Sequence, residues 1–351
     1  MRSLGWGAAA LALEPQSLLD MPRRPSRNYV WSHAHPDWKP DRWRQTFDQL
    51  RRAGIQGILV EGGAPAVEPV FAPAAEFGIE VHGWIWTLNH PHAPELRTQH
   101  PERFSVNRLG ESCATRPPYV DYYRWLCPSR PENRAYIVAQ MDHLAQYSEL
   151  ASVHLDYVRH PDVILPIALQ PKYGLVQDRE YPAFDYCYCE VCRSRFQDLH
   201  GRDPLDLDDP TADADWRAYR WDSVSELVRE IGEAVHARGK KLSAAVFPSP
   251  AIARTLVRQA WDTWPLDLVF PMQYHNFYDE DLHWIADCVR AGRAATTARL
   301  YSGLFVPALD ARQLRKAIGL VLRAGADGVC LFELGSLQPE HWAVLTAVLG
   351  T

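Results

Sequence analysis

The stretch Ala53-Gly-Ile-Gln-Gly-Ile-Leu-Val-Glu61 contains the end of one helix and the whole of one strand. Residues 41–53 carry an amphipathic helical pattern, and Gly54 stands where helices commonly end on a left-handed residue. The apolar run 57–61 then has the length of a buried strand. A helix that leads directly into such a strand indicates a parallel sheet covered by helices.

The same alternation continues along the chain from Asn28. Eight strands are predicted, at residues 29–33, 57–61, 80–86, 152–158, 241–247, 266–272, 300–305 and 328–332. Helices are predicted between them, for example at residues 41–53, 131–147, 216–237, 310–324 and 340–349. Eight strands alternating with helices fit a closed ring better than an open sheet, so the predicted fold class is α/β, a (β/α)8 TIM barrel.

Two connections are much longer than the others. The strand-3 loop covers residues 87–130 and the strand-4 loop covers residues 159–215. In a barrel both loops project from the C-terminal face, where active sites are built. We therefore expect a substrate cleft bordered by these two loops.

Composition narrows the class of partner. The chain has 351 residues, a net charge of −6 and no basic patch that would attract nucleic acid. No segment approaches ~18 consecutive apolar residues, so no membrane span is predicted. The 13 Trp and 15 Tyr residues often follow apolar runs, where their rings either stack on flat sugar faces or fill the core. The oligomeric state stays open.

The N-terminal run from Arg2 to Leu13 consists of small and apolar residues and stops at Glu14-Pro15. It is similar to the second half of a twin-arginine signal peptide, and a short N-terminal helix is the alternative. We therefore expect residues 1–24 to be the remnant of a truncated export signal and residues 25–351 to form a single catalytic barrel domain. The protein would then be exported, periplasmic or secreted.

The segment Val153-His-Leu-Asp-Tyr-Val-Arg-His-Pro161 carries the most pointed chemistry. Asp156 lies near the end of a predicted strand, where a carboxylate meets a ligand, and Arg159 is expected to keep it ionised. A structural ion pair at the barrel rim is the alternative interpretation.

Several stretches resemble the family-10-like glycosyl hydrolase-like barrel proteins. They are residues 53–57, 78–86, 100–110, 126–136 and 154–161, including His154-Leu-Asp-Tyr-Val-Arg-His-Pro161. The resemblance extends from about Tyr29 to Leu349. It implies a (β/α)8 barrel that acts on a glycosidic bond in a polysaccharide or oligosaccharide, usually in an exported protein, without specifying the sugar.

Hydrolysis of a glycosidic bond commonly needs two carboxylates that flank it. Asp156 is paired with Glu333, which follows the last strand on the opposite side of the barrel, and Glu61 is the reserve. Strand 5 ends in Val246-Phe-Pro-Ser-Pro250 without a carboxylate. A carbohydrate-binding barrel that has lost catalysis therefore remains an alternative. Residues predicted to bind the substrate are Trp31, His33, Trp84, Trp86, Asn89, Arg159, Gln273, Tyr274 and His275.

The segment Cys187-Tyr-Cys-Glu-Val-Cys192 has the spacing of a structural zinc site, with Cys187, Cys189 and Cys192 as ligands. Cys113, Cys127 or a histidine of the strand-3 loop would supply the fourth ligand. Disulfides are the alternative, although seven cysteines cannot all pair within one chain. In either bonded form the cysteines would hold the strand-4 loop in place.

Two further patterns bear on catalysis. His33-Ala-His35 is similar to the metal-binding motif of amidohydrolase barrels, but strand 5 offers no histidine, which disfavours a metal-dependent amidohydrolase. Phosphate-binding loops of the P-loop or dinucleotide type are missing, and no cofactor is expected for catalysis.

Overall fold

The computed structural model describes residues 27–350, and the predicted export segment lies outside the described residues. The strands are β1 (Tyr29–Ser32), β2 (Gly57–Glu61), β3 (Glu80–Trp86), β4 (Leu150–Asp156), β5 (Lys241–Val246), β6 (Leu268–Pro271), β7 (Arg299–Phe305) and β8 (Gly328–Phe332). Each strand pairs in parallel with the next, and β8 pairs with β1 to close the ring. The predicted (β/α)8 TIM barrel is confirmed.

The helices of the described chain are α1 (Pro40–Arg52), α2 (Ala64–Glu76), α3 (Pro94–Gln99), α4 (Pro131–Ala145), α5 (Glu190–His200), α6 (Ala214–Ala237), α7 (Pro250–Val257), α8 (Leu282–Ala295), α9 (Ala311–Arg323) and α10 (Pro339–Val348). The strand-3 loop contains only α3 and short turns, and the strand-4 loop contains α5. Both long loops follow the ends of their strands as predicted. No helix within residues 27–350 is both long enough and apolar enough to cross a bilayer.

Helix α9 shows how the outer layer forms. Asp310 caps its N-terminus by accepting a hydrogen bond from the Gln313 N–H, and the Gln313 side chain bonds back to the Asp310 N–H. Leu314, Ile318 and Val321 recur at helical spacing and are fully buried against the barrel. Capping at one end and a single apolar face thus fix both the start of the helix and its orientation.

The barrel interior is filled largely by aromatic side chains. Tyr29, Phe270 and Tyr301 pack against one another with ring centroids 4.7–5.3 Å apart. A Cβ atom at Gly57 would lie 2.4 Å from the Tyr29 ring, so glycine is needed there to admit the ring. Because the interior is packed, a ligand can reach the barrel only at its rim.

Trp31 belongs to this interior layer. Its side chain is 1% exposed, and its Nε1–H donates to His154 Nε2 over 3.1 Å. The prediction that Trp31 binds substrate is therefore not supported by its position. Its alternation along β1 directs the ring inward, at a level below the open face of the barrel.

Candidate functional site

A cavity of about 360 Å³ opens at the C-terminal ends of the strands. Twelve Trp, Tyr and Phe side chains line it, among them Trp84, Trp86 and Tyr274. Its polar lining consists of His33, Asp156, Arg159, Asp162 and Lys172. The strand-3 and strand-4 loops both contribute to its walls, as expected from their length. Aromatic surfaces around a few convergent polar groups are typical of small-molecule and sugar sites.

Asp156 is the last residue of β4 and lies at this cavity. One carboxylate oxygen accepts from Trp84 Nε1 over 3.0 Å, and the other accepts from the backbone N–H of Tyr157 over 2.7 Å. Burial raises the pKa of Asp156 to about 6, against the opposing effect of these two hydrogen bonds and of the Arg159 charge. The nearby negative charge of Glu61 raises this pKa further. Asp156 is therefore able to hold and release a proton close to neutral pH.

Arg159 does not pair directly with Asp156. Its guanidinium binds Asp162 Oδ2 over 3.0 Å, and both side chains are buried. It also lies 4.8 Å from the centroid of the Trp125 ring and 5.1 Å from that of Phe247. The Arg159 charge lowers the pKa of Asp156, in the expected direction, but burial of the carboxyl raises this pKa by more.

Asp162 is a cavity residue that the sequence interpretation missed. It stands three residues after Arg159 in the sequence, and this spacing could have indicated an ion pair between the two side chains. Its backbone carbonyl accepts from the Tyr119 hydroxyl over 2.8 Å, which joins the two long loops at the cavity wall.

Glu61 ends β2 and forms a short hydrogen bond with His33 Nδ1. The His33 ring lines the cavity and lies 5.5 Å from the Trp84 ring, whose Nε1–H in turn bonds Asp156. Glu61 itself faces a neighbouring groove of about 680 Å³ that shares Trp84 and Trp86 with the cavity. A continuous series of contacts thus runs from Glu61 through His33 and Trp84 to Asp156.

Glu333 follows β8 and its carboxylate serves as a cap. The two oxygens accept from the Gly335 N–H over 3.0 Å and from the Ser336 hydroxyl over 3.1 Å. The cavity is lined on this side by the preceding residue, Phe332. The predicted pairing of Asp156 with Glu333 thus gains no support from the geometry, which favours Glu61 instead.

Five of the predicted binding residues line the cavity: His33, Trp84, Trp86, Arg159 and Tyr274. Asn89 and Gln273 are buried and bonded within the protein, Asn89 accepting from the Arg124 N–H over 2.8 Å and Gln273 from the Ser302 hydroxyl over 2.5 Å. His275 is buried in the short turn after β6, and burial lowers its pKa. None of these three residues lines the cavity, but Asn89 lines the neighbouring groove of about 680 Å³.

The cysteine motif forms a compact cluster away from the cavity lining. The sulfurs of Cys127, Cys187, Cys189 and Cys192 all lie within 4.8 Å of one another, and all four residues are buried. Cys127 is thus the fourth member among the alternatives that the sequence left open. A cluster of this composition could bind a metal ion.

This cysteine cluster is the one group of three or more potential metal ligands found within residues 27–350. His33 is bonded to Glu61, and His35 stacks on Trp38 with ring centroids 3.9 Å apart. The two histidines therefore form no amidohydrolase-type metal site with the described carboxylates.

Comparison of the sequence with family models and with curated proteins finds no match. Solved structures do match. The glycoside hydrolase domain of PgaB (BpsB) from Bordetella bronchiseptica has a TM-score of 0.63 at 13% identity, over 92% of this chain and 99% of that domain. The catalytic domain of β-amylase from Paenibacillus polymyxa has a TM-score of 0.61 at 12% identity, over 92% and 97%.

A third structure, the spore cortex-lytic enzyme SleL of Bacillus megaterium QM B1551, matches with a TM-score of 0.52 at 8% identity, over 93% of this chain and 75% of that one. At these identities the likeness concerns the fold. The chain has the barrel architecture found in glycoside hydrolase domains.

Proposed function

We propose that this protein is a glycoside hydrolase in which Asp156 is the catalytic acid. The observation that carries the proposal is a carboxyl group with a pKa of about 6, at the C-terminal end of a barrel strand, in a cavity lined by aromatic rings. A general acid works best when its pKa lies near the working pH, and burial achieves this in glycosidases. Asp156 would donate its proton to the leaving glycosidic oxygen.

Glu61 is the second carboxylate of the proposed mechanism, and it acts through His33. The imidazole of His33 is hydrogen-bonded to Glu61 and lines the same cavity as Asp156. Water would attack the anomeric carbon while His33 and Glu61 take up its proton and the glycosidic C–O bond breaks. The leaving oxygen receives the Asp156 proton, and the proton taken up by His33 and Glu61 returns to Asp156 through solvent, so one water molecule is divided between the two products.

The substrate proposed is a polysaccharide or an oligosaccharide. Trp84, Trp86 and Tyr274 offer faces on which sugar rings stack, and the Arg159–Asp162 pair offers hydrogen-bonding groups for hydroxyls. The resemblance to family-10-like proteins and the fold shared with the PgaB and β-amylase domains agree with this class of substrate. The mechanism requires no cofactor. Export of the protein stays a prediction.

A second candidate function follows from β5. The strand continues into Phe247 and Pro248, which give the cavity an apolar wall where many barrel hydrolases would place an acid. A carbohydrate-binding barrel without catalysis would have this arrangement, and it would bind a glycan without cleaving it.

A glycan screen separates the two candidates. Purified protein is incubated with a panel of polysaccharides and oligosaccharides, and the release of reducing ends is compared with binding measured by calorimetry. We expect cleavage of at least one glycan, with turnover reduced ~10²–10⁴-fold in Asp156→Asn and lowered in Glu61→Gln. The matched control Glu333→Gln is expected to retain turnover.

Two outcomes would overturn these assignments. Binding of a glycan without any cleavage would replace the hydrolase with the binding barrel. Full turnover by Asp156→Asn would remove Asp156 from the role of acid.

A further inference from the structure

The cysteine cluster joins the two long loops at one point. Cys127 lies near the end of the strand-3 loop, just before α4, and Cys187 and Cys189 lie near the middle of the strand-4 loop. Cys192 lies in the first turn of α5. The four residues therefore belong to segments that are up to 65 positions apart in the chain.

The spacing of the sulfurs is that of ligands around a shared ion. Cys127 Sγ lies 3.4 Å from Cys192 Sγ and 3.6 Å from Cys189 Sγ. Tetrahedral thiolates bound to zinc at ~2.3 Å lie about 3.8 Å from one another. Two disulfides would bring the sulfurs together in separate pairs, whereas here one sulfur has two close neighbours and all four are mutually near.

Hydrogen-bond donors and positive charge surround the cluster. The backbone N–H of Val106 donates to Cys187 Sγ over 3.4 Å, and Cys189 stands at the N-terminus of α5, the positive end of the helix dipole. Arg130 interacts electrostatically with Cys189 and Cys127, and its Nε–H has no hydrogen-bond partner. A zinc ion with four thiolates carries a net charge of −2, which these groups would offset.

We propose that Cys127, Cys187, Cys189 and Cys192 bind one structural Zn²⁺ ion, which holds the strand-3 loop against the strand-4 loop. The strand-3 loop carries Tyr122 and Tyr123 to the cavity, and the strand-4 loop carries Asp162 and Tyr173. The ion does not touch the cavity. The ion instead fixes the two loops that build the wall of the cavity, and this role is independent of the reaction that the cavity supports.

Metal content and thiol titration test the site directly. The full chain is purified under reducing conditions without chelator, and its zinc is measured by mass spectrometry. We expect one zinc per chain in the wild type and in the Cys113→Ser control, whose cysteine is buried in the same strand-3 loop but lies outside the cluster. Cys127→Ser is expected to lose the metal.

Two measurements on the wild type keep the proposal testable if Cys127→Ser fails to fold. Exchange of zinc for Co²⁺ is expected to produce the visible absorption of a tetrahedral thiolate complex. Titration of the denatured, metal-free chain without reductant is expected to find all seven cysteines as thiols. A metal-free protein with three titratable thiols would show two disulfides and overturn the site, and a zinc content near zero with seven thiols would overturn it equally.

Limited proteolysis tests the consequence for the loops. Release of the zinc by a mercurial reagent in the presence of chelator is expected to expose residues 159–189 to cleavage while the barrel helices stay protected. Unchanged cleavage in the strand-4 loop would contradict the proposed connection between the loops.

Discussion

Replacement of Asp156 by asparagine changes how the stability of the protein depends on pH. The half-buried carboxyl of Asp156 has a pKa of about 6 in the folded protein, against an ordinary value of 3.8. Between these two values the folded state binds a proton that the unfolded state has released. The free energy of unfolding of the wild type therefore falls as the pH rises through this window.

The magnitude follows from the displacement of the pKa. Each factor of ten in the ionisation constant of Asp156 corresponds to ~1.4 kcal/mol. Between acid and neutral pH, the free energy of unfolding of the wild type therefore falls by at most about 3 kcal/mol relative to that of Asp156→Asn. Solvent that reaches the cavity reduces this figure. Asparagine offers one acceptor oxygen to two donors, the Trp84 Nε1–H and the Tyr157 N–H. The resulting penalty is independent of pH and cancels when the difference between the two proteins is followed across the window.

Urea unfolding of both proteins, followed by tryptophan fluorescence from about pH 3.5 to about pH 7.5, measures this difference. The stability of Asp156→Asn minus that of the wild type is expected to rise with pH and to level off above pH 6. A difference that stays flat, or that falls with pH, would refute the claim that the folded protein raises the pKa of Asp156.

Three further substitutions have defined outcomes. Trp84→Phe removes a hydrogen bond from the charged form of Asp156, which raises the pKa of this carboxyl. Because a catalytic acid works only while it is protonated, the alkaline limb that Asp156 sets in the pH–rate profile should move to higher pH by about one unit; an unchanged limb would contradict this. Glu333→Gln weakens the cap on Gly335 and Ser336 and should lower the free energy of unfolding by about 1 kcal/mol in thermal unfolding. Turnover should be retained, and a loss of turnover would make Glu333 a catalytic carboxylate again. Gly303→Ala places a Cβ 2.6 Å from the Pro271 carbonyl oxygen and should lower the free energy of unfolding by ~1–3 kcal/mol. In the control Gly319→Ala, the new Cβ meets only the end of the Arg323 side chain in α9, so the same assay should show no change or a gain of up to ~1 kcal/mol. Equal effects of the two substitutions would argue against the packing described.

The strands could be predicted from sequence because each is a short apolar run set between turns. Strands β2, β3 and β8 have the predicted bounds. Strand β4 was predicted at residues 152–158 but ends at Asp156. Tyr157 adopts a positive φ of 48°, which stops the strand, and its apolar ring conceals that turn in the sequence.

The candidate site could be predicted only in part. Trp84 and Trp86 lie near or at the end of a strand, so the pattern of β3 alone places them at the rim. Asp162 and Cys127 owe their positions to long loops that pack on each other, and no local periodicity encodes such packing. The role of Glu333 was missed because a residue after a strand either faces the barrel axis or caps the next turn, and that choice depends on the turn itself.

The central claim, that Asp156 protonates the leaving group, is tested most directly by two substrates of one sugar that differ in their leaving group. Once the screen has identified a sugar that is cleaved, kcat/KM is measured for wild type and Asp156→Asn on the natural glycan and on an aryl glycoside whose phenol leaves without protonation. We expect the substitution to cost ~10²–10⁴-fold on the glycan and far less on the aryl glycoside. An equal loss on both substrates, or no loss on the glycan, would contradict the claim.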